Sequence, residues 1–259
     1  VKPYIGSLKD VLRAYDDGKV FGESYGNGPI RVVWLHGWAR RGQDFVIAAT
    51  QLAERGVASV ALDLPGFGSS PAPSMSGGAH LYSDLLTSTL TSVSDKPFIL
   101  VGHSFGGKVA TVFAAEHPEL VRVLILTGVP LVRLSSARTS PAGFRILRWL
   151  HQRGLIEDQR MEAARQKYGS TDYRRANGVM RDVLVTLVNE SHERQLEQLT
   201  MPVVMVWGSD DREVPIDVAR RAEALIRSAH SLKLVPDVGH MLPTDAPGAL
   251  VDAVLEVVD

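Results

Sequence analysis

The stretch Phe98-Ile99-Leu100-Val101-Gly102-His103-Ser104-Phe105-Gly106-Gly107 decides how the rest of the chain is read. Its first four residues are an apolar run of strand length, and Lys108 to His117, closed by Pro118, carries Val109, Val112 and Phe113 at helical spacing. Between them, residues 102–106 fit Gly-x-Ser-x-Gly, a pattern whose meaning comes from its strand-turn-helix setting. A serine on so tight a turn sits in strained backbone. Side chains two positions to either side would collide with neighbouring elements, which Gly102 and Gly106 relieve. The helix N-terminus then directs partial positive charge and free N–H groups at the reacting oxygen. The structural alternative is a glycine-rich turn with a capping serine. Phosphate loops are a poor fit, since neither Gly-x-Gly-x-x-Gly nor Gly-x-x-x-x-Gly-Lys-Ser/Thr occurs.

Working outward, the same alternation repeats. Val11 to Tyr15 and Val20 to Tyr25 read as a hairpin about Asp16-Asp17-Gly18, followed by the strand Arg31 to Leu35. A helix from Phe45 to Glu54 leads to the strand Val57 to Leu62, which ends in the loop Asp63-Leu64-Pro65-Gly66-Phe67-Gly68. A helix within Ser76 to Leu90 precedes the quoted stretch, and the strand Val121 to Leu126 follows it, tipped by Thr127-Gly128. After a break, Val203 to Trp207 and Leu232 to Val235 are strands, with helices over Asp217 to Ile226 and Pro247 to Val258. Buried strands separated by helices long enough for crossovers predict an α/β fold, a mostly parallel sheet with helices on both faces.

The break itself, about Val129 to Leu199, has no convincing strand and reads as several helices inserted over the sheet. Leu131 to Asp182 holds eleven Lys or Arg against five Asp or Glu. Solvated helix faces explain that balance; attraction of an anionic substrate is the functional alternative.

A formal charge of −1 over 259 residues gives no global basic field, which argues against nucleic acid as a partner. With 45% apolar and 22% charged residues the composition is that of a soluble globular protein. The absence of cysteine removes disulfides, thiolate metal sites and cysteine nucleophiles. Residues 1–10 lack the long apolar run of a signal peptide, and no window nears the roughly 20 apolar residues of a membrane span. A cytoplasmic protein is the expectation.

A serine nucleophile needs a base, and histidine suits the task. Of eight histidines, His240 is selected, because Val238-Gly239-His240 follows the last strand at the sheet edge where residues 102 and 207 end. His36 and His103 read as structural hydrogen-bonders, and His80, His117, His151, His192 and His230 as ordinary residues in helices or at their ends. A carboxylate must orient the base. Asp211 stands at the carboxyl end of the strand Val203 to Trp207, with Asp210 as its rival and Asp237 and Asp245 as outsiders. His36-Gly37-Trp38 can bend so that the Trp38 N–H meets the Phe105 N–H at a developing oxyanion. No set of residues has defensible metal-ligand spacing, so neither metal nor cofactor is expected.

With these residues in view the sequence resembles the α/β-hydrolase superfamily over nearly its whole length. The order Ser104, Asp211, His240 is that family's order of nucleophile, acid and base. His36-Gly37-Trp38, Asp63 through Gly68, Gly102 through Gly107, Gly208 with Asp211 and Pro215, and Gly239-His240 look like its successive landmarks. The resemblance implies that Asp211, three residues after Gly208, is the acid, and that Trp38 and Phe105 supply the oxyanion donors. It also implies a core of residues 1–130 and 199–259 and a helical cap of residues 131–198. Ser104 argues against the branches that use aspartate as nucleophile, the haloalkane dehalogenases and epoxide hydrolases. What remains resembles small carboxylesterases, carbon–carbon bond hydrolases of ring-cleavage diketone acids, and cofactor-free perhydrolases or haloperoxidases. The last two commonly place Met after the serine, where Phe105 departs.

The expected activity is hydrolysis of a small to medium acyl ester through an acyl-enzyme. The alternatives are carbon–carbon cleavage, perhydrolysis or acyl transfer, and a silent ligand-binding module. Trp38, Phe144, Leu147, Trp149 and Leu150 are the candidate pocket residues, the last four of which serve equally well as the insertion's own core.

Overall fold

The computed structural model describes residues 11–133, 149–151, 153, 155–157, 159–161 and 171–258. Its centre is an eight-stranded sheet of β1 (Val11–Tyr15), β2 (Val20–Tyr25), β3 (Val32–Leu35), β4 (Ser59–Asp63), β5 (Phe98–His103), β6 (Val121–Thr127), β7 (Val203–Gly208) and β8 (His230–Val235). The spatial order is β1-β2-β4-β3-β5-β6-β7-β8. β1 pairs antiparallel with β2, and β2 with β4; every pairing from β4 to β8 is parallel. The predicted hairpin and parallel sheet are therefore both present. The chain is an α/β-hydrolase fold.

The period of two in the strands splits the core into two layers. Val33, Leu35, Leu100, Leu124 and Met205 pack with α2 (Ala79–Val93) and α3 (Ser104–Glu116) on one face. Val32, Trp34, Val101, Ile125 and Val206 pack with α1 (Val46–Glu54) and the C-terminal helix Pro247–Leu255 on the other. Because both faces are covered, β3, β5 and β7 are buried at every position, which is why they read as continuous apolar runs.

The strand order reverses between β3 and β5. From β3 the chain crosses to β4 on one side, then returns to β5 on the other. Such a switch point opens a crevice at the carboxyl ends of the strands, where His36-Gly37-Trp38 and Ser104 both emerge.

Two boundaries differ from expectation. The turn at residues 102–107 was expected to precede a helix starting at Lys108, yet β5 runs through His103 and α3 begins at Ser104. The glycines serve close approach rather than a loop: a Cβ on Gly102 would lie 2.5 Å from Gly107 Cα, and one on Gly106 would lie 2.5 Å from His36 O. His230, expected at a helix end, opens β8.

Between β6 and β7 the described residues form the helices α4 (Thr171–Arg175), α5 (Gly178–Asn189) and α6 (Glu193–Gln198). α5 buries Val183, Leu184 and Leu187, and the His192 N–H ties the chain back to Leu131 O at 2.8 Å. After β7 come α7 (Ile216–Glu223), α8 (Leu242–Asp245) and α9 (Pro247–Leu255). Among the described residues no helix is long and apolar enough to cross a membrane.

Candidate active site

Ser104 has φ +50°, left-handed backbone that a residue with a Cβ adopts only under local constraint. The constraint is visible. Behind it the Gly106 N–H donates to His36 O at 3.0 Å, fastening the first turn of α3 to the end of β3. A Cβ on Gly37 would lie 2.9 Å from His103 Nδ1 and 3.5 Å from Ser104 Cβ, so the two loops touch through a glycine.

His36 fixes the first loop. Its Nδ1–H donates to Gly37 O at 2.7 Å while Nε2 accepts the Leu64 N–H at 2.9 Å. Burial pulls its pKa down to about 4, so it is neutral, as both bonds require. Asp63 organises the adjoining loop by accepting the Gly42 and Ser69 N–H groups, each at 2.8 Å.

His240 is held from two sides. Its Nδ1 is 2.9 Å from Asp211 Oδ2, and its carbonyl accepts His103 Nε2–H at 3.0 Å. Asp211 is buried, and its other oxygen, Oδ1, accepts the Glu213 and Val214 N–H groups at 2.9 and 2.8 Å. The loop carrying it is pinned by Trp207, whose indole N–H donates to Val214 O at 2.9 Å. Asp210, the rival carboxylate, is exposed and takes a bond from Ser209 Oγ at 3.2 Å. Burial lowers the His240 pKa, but the hydrogen bond and charge of Asp211, helped by Glu213, outweigh it and leave the pKa raised. His103, by contrast, is pushed down to about 3 by burial and by the charge of His240.

The space over Ser104 is a cavity of about 280 Å³. Trp38, Ser104 and Phe105 line it on the sheet side, and Leu184, Leu187 and Val188 of α5 on the other. Trp38 meets Phe105 and Phe67 edge to face, with ring centroids 5.7 and 4.9 Å apart. Among the described residues the N–H groups of Trp38 and Phe105 have no partner within the protein. Nor does a hydrogen bond join Ser104 to His240 among them; catalytic contacts of this kind commonly tighten only around substrate.

Of the remaining pocket candidates, Phe144 and Leu147 fall outside the described residues. Trp149 is 47% exposed with the Arg153 guanidinium 3.9 Å above its ring, and Leu150 is half-buried. Neither lines the cavity as the described residues form it. Sequence reading passed over Lys108, Gly128 and Glu213. Gly128, at φ +59°, sits so close to the His240 ring that a Cβ would lie 3.0 Å from it. Glu213 Oε2 is 3.7 Å from His240 Nε2. For Lys108 the signal was present: it is the one charged residue between Ser104 and Ala115, in a helix otherwise apolar or small. Among the described residues no group of three or more His, Asp or Glu is placed to hold a metal ion.

Comparison with known proteins agrees with this architecture. The model of the alpha/beta hydrolase family matches residues 32–253. A 2-hydroxy-6-oxononadienedioate/2-hydroxy-6-oxononatrienedioate hydrolase of Klebsiella pneumoniae is 31% identical over 244 residues, covering 83% of this chain and 82% of its own. A pimeloyl-(acyl-carrier protein) methyl ester esterase of Chromobacterium violaceum is 36% identical over 132 residues, 51% of this chain and 45% of its own. Among solved structures, an esterase from Exiguobacterium antarcticum superposes with a TM-score of 0.73 at 18% identity, covering 95% of this chain and 98% of its own. A serine between glycines two residues to either side, at the sheet's switch point, and a family match spanning β3 to β8 lead to one conclusion: the chain belongs to the alpha/beta hydrolase family.

Proposed function

We propose that the chain is a serine carboxylic-ester hydrolase with Ser104 as nucleophile, His240 as general base and Asp211 as the group that orients it. The observation that carries this reading is the conjunction of left-handed backbone at Ser104 with the 2.9 Å His240–Asp211 contact at the same sheet edge. His240 Nε2 takes the Ser104 proton as Oγ bonds to the ester carbonyl carbon. The negative charge that develops on the carbonyl oxygen is received by the Trp38 and Phe105 N–H groups, free donors fixed before reaction. His240 returns its proton to the leaving alcohol, leaving an acyl-Ser104. Water, deprotonated by His240, then attacks that acyl carbon and releases the acid and free serine. Asp211 bears on the imidazolium from the Nδ1 side throughout, and its satisfied Oδ1 leaves Oδ2 for that bond. In this reading residues 131–198 are a cap on the core of residues 1–130 and 199–259, and α5 supplies the apolar wall that excludes water.

A panel of short activated esters tests the assignment. Turnover by the wild-type chain and its loss, by about 10⁴-fold or more, in folded Ser104→Ala is expected. Retained turnover in that variant would end the proposal.

A second reading is favoured by the Klebsiella pneumoniae relative and by the basic balance of residues 131–182: carbon–carbon hydrolysis of a vinylogous diketone acid. Decay of the coloured dienolate of ring-cleavage products would support it. No decay across several such products, alongside ester turnover, would exclude it.

A further inference from the structure

Lys108 stands one helical turn beyond Ser104 on α3 and lines the same cavity, although its side chain is 5% exposed. Its Nζ donates to Leu187 O at 2.6 Å, close to the C-terminus of α5. That carbonyl also accepts the Glu190 N–H at 3.3 Å, so ending α5 does not require a cation. Among the described residues no carboxylate forms an ion pair with Lys108, and an ammonium has three donors.

The other charges around the cavity do not neutralise it. Glu190 favours the ammonium from beyond ion-pair distance, and its own Oε2 is held by the Ala79 N–H at 3.0 Å and faces His192 at 3.8 Å. Arg133 and Asp172 are exposed at the rim, and Arg133 bonds to Asn189 O. Burial draws the Lys108 pKa down to about 8, which still leaves it mostly charged at neutral pH. Val132, Leu184 and Leu187, all buried, line the same cavity with apolar surface. A buried, incompletely paired cation is costly in such surroundings, and the same low dielectric strengthens its attraction for an arriving anion.

We infer that Lys108 determines specificity in this cavity, binding a carboxylate carried by the acyl part of the substrate a few bonds from the scissile carbonyl. The inference rests on the reading of Ser104 as nucleophile, because that serine fixes where the carbonyl lies. Four residues of helix rise only about 6 Å, so short dicarboxylic half-esters suit the spacing.

The test separates binding from turnover. Monomethyl glutarate and dimethyl glutarate are titrated calorimetrically into folded Ser104→Ala protein, where neither is consumed. The half-ester is expected to bind about tenfold tighter, the scale of one charge-assisted hydrogen bond. Adding Lys108→Met should abolish that preference, and Lys108→Arg should restore part of it. Equal affinities, binding of neither ester, or a preference that survives Lys108→Met would overturn the inference. Should the Met variant not fold, the preference or its absence with Lys108 in place decides alone. Turnover of both esters by the wild-type chain without a binding preference sinks the inference and leaves the serine reading standing. A preference without any turnover counts against the serine reading and overturns the placement of the carboxylate beside a scissile carbonyl, leaving Lys108 as a carboxylate site alone.

Discussion

The turn at Ser104 and the helix α5 face one another across a single cavity, yet they are constrained in different ways. At the turn, backbone meets backbone, Gly102 against Gly107 and Gly106 against the carbonyls of Leu35 and His36, while Gly37 lies against the His103 ring. On α5, contact is made by side chains, Val183, Leu184 and Leu187, whose neighbours are apolar and deformable. Close backbone approach leaves a residue-specific mark on a sequence, because only glycine fits. Side-chain packing leaves only a pattern of hydrophobicity, which many sequences satisfy. In the proposed reading the fixed turn carries the chemistry, and selectivity is shared by Lys108 on the helix behind it and the adaptable wall of α5.

The largest expected effect tests whether the fixed side is fixed for chemistry. Asp211→Asn should keep the fold and lower kcat by about 10⁴-fold, since the amide favours the wrong imidazole tautomer. Steady-state kinetics alongside near-ultraviolet circular dichroism would check both halves. Next, Gly106→Ala should cost about 4 kcal/mol or more, because the new Cβ meets backbone that cannot yield. A denaturant melt showing a loss under about 1 kcal/mol would erase the proposed contrast.

On the adaptable side, Leu187→Ala should cost about 2–4 kcal/mol of stability while enlarging the cavity it lines. The ester panel should then shift toward longer acyl groups. If the optimum stays where it was, α5 is not the selective wall.

Acid stability compares the two regions directly. His36 and His103 at the turn, and His192 at the start of α6, are buried with pKa values lowered to about 4, about 3 and about 3. Below the ordinary histidine range the unfolded chain binds protons that these three do not. Stability is therefore complete above about pH 6.5 and falls as pH drops toward the folded values, by about 1.4 kcal/mol per pH unit for each histidine. Urea unfolding followed from pH 7 to 5 would show the slope, and His192→Gln should flatten it by one proton. The smallest effect is expected at Glu213, an exposed carboxylate beside the His240 ring. Glu213→Gln should move the acid limb of kcat/KM downward by a few tenths of a pH unit, because a screened surface charge contributes little.

The same contrast explains what the sequence made legible. The strands of the parallel sheet are buried on both faces and appear as apolar runs, and the residues of the turn appear as glycines at fixed offsets. Ser104, His240 and Asp211 were selected because each follows a strand end, and the fold sets His240 against Asp211. The start of α3 was misplaced because glycine suggests a loop, whereas here it lets a helix begin against a sheet. Residues 131–198 were hardest to read. Trp149 and Leu150 were chosen for size and hydrophobicity, which do not distinguish a cavity wall from a helix face under an arginine. Lys108 was passed over because periodicity treats a charged residue in an apolar helix as noise, when its burial is informative.

The central claim is that Ser104 is an activated nucleophile, and covalent labelling tests it most directly. A fluorophosphonate probe, followed by peptide mass spectrometry, should modify the native wild-type chain at Ser104 alone. Labelling should fall as pH drops through the raised pKa of His240. Folded protein that stays unlabelled, or is labelled elsewhere with Ser104 untouched, would contradict the account.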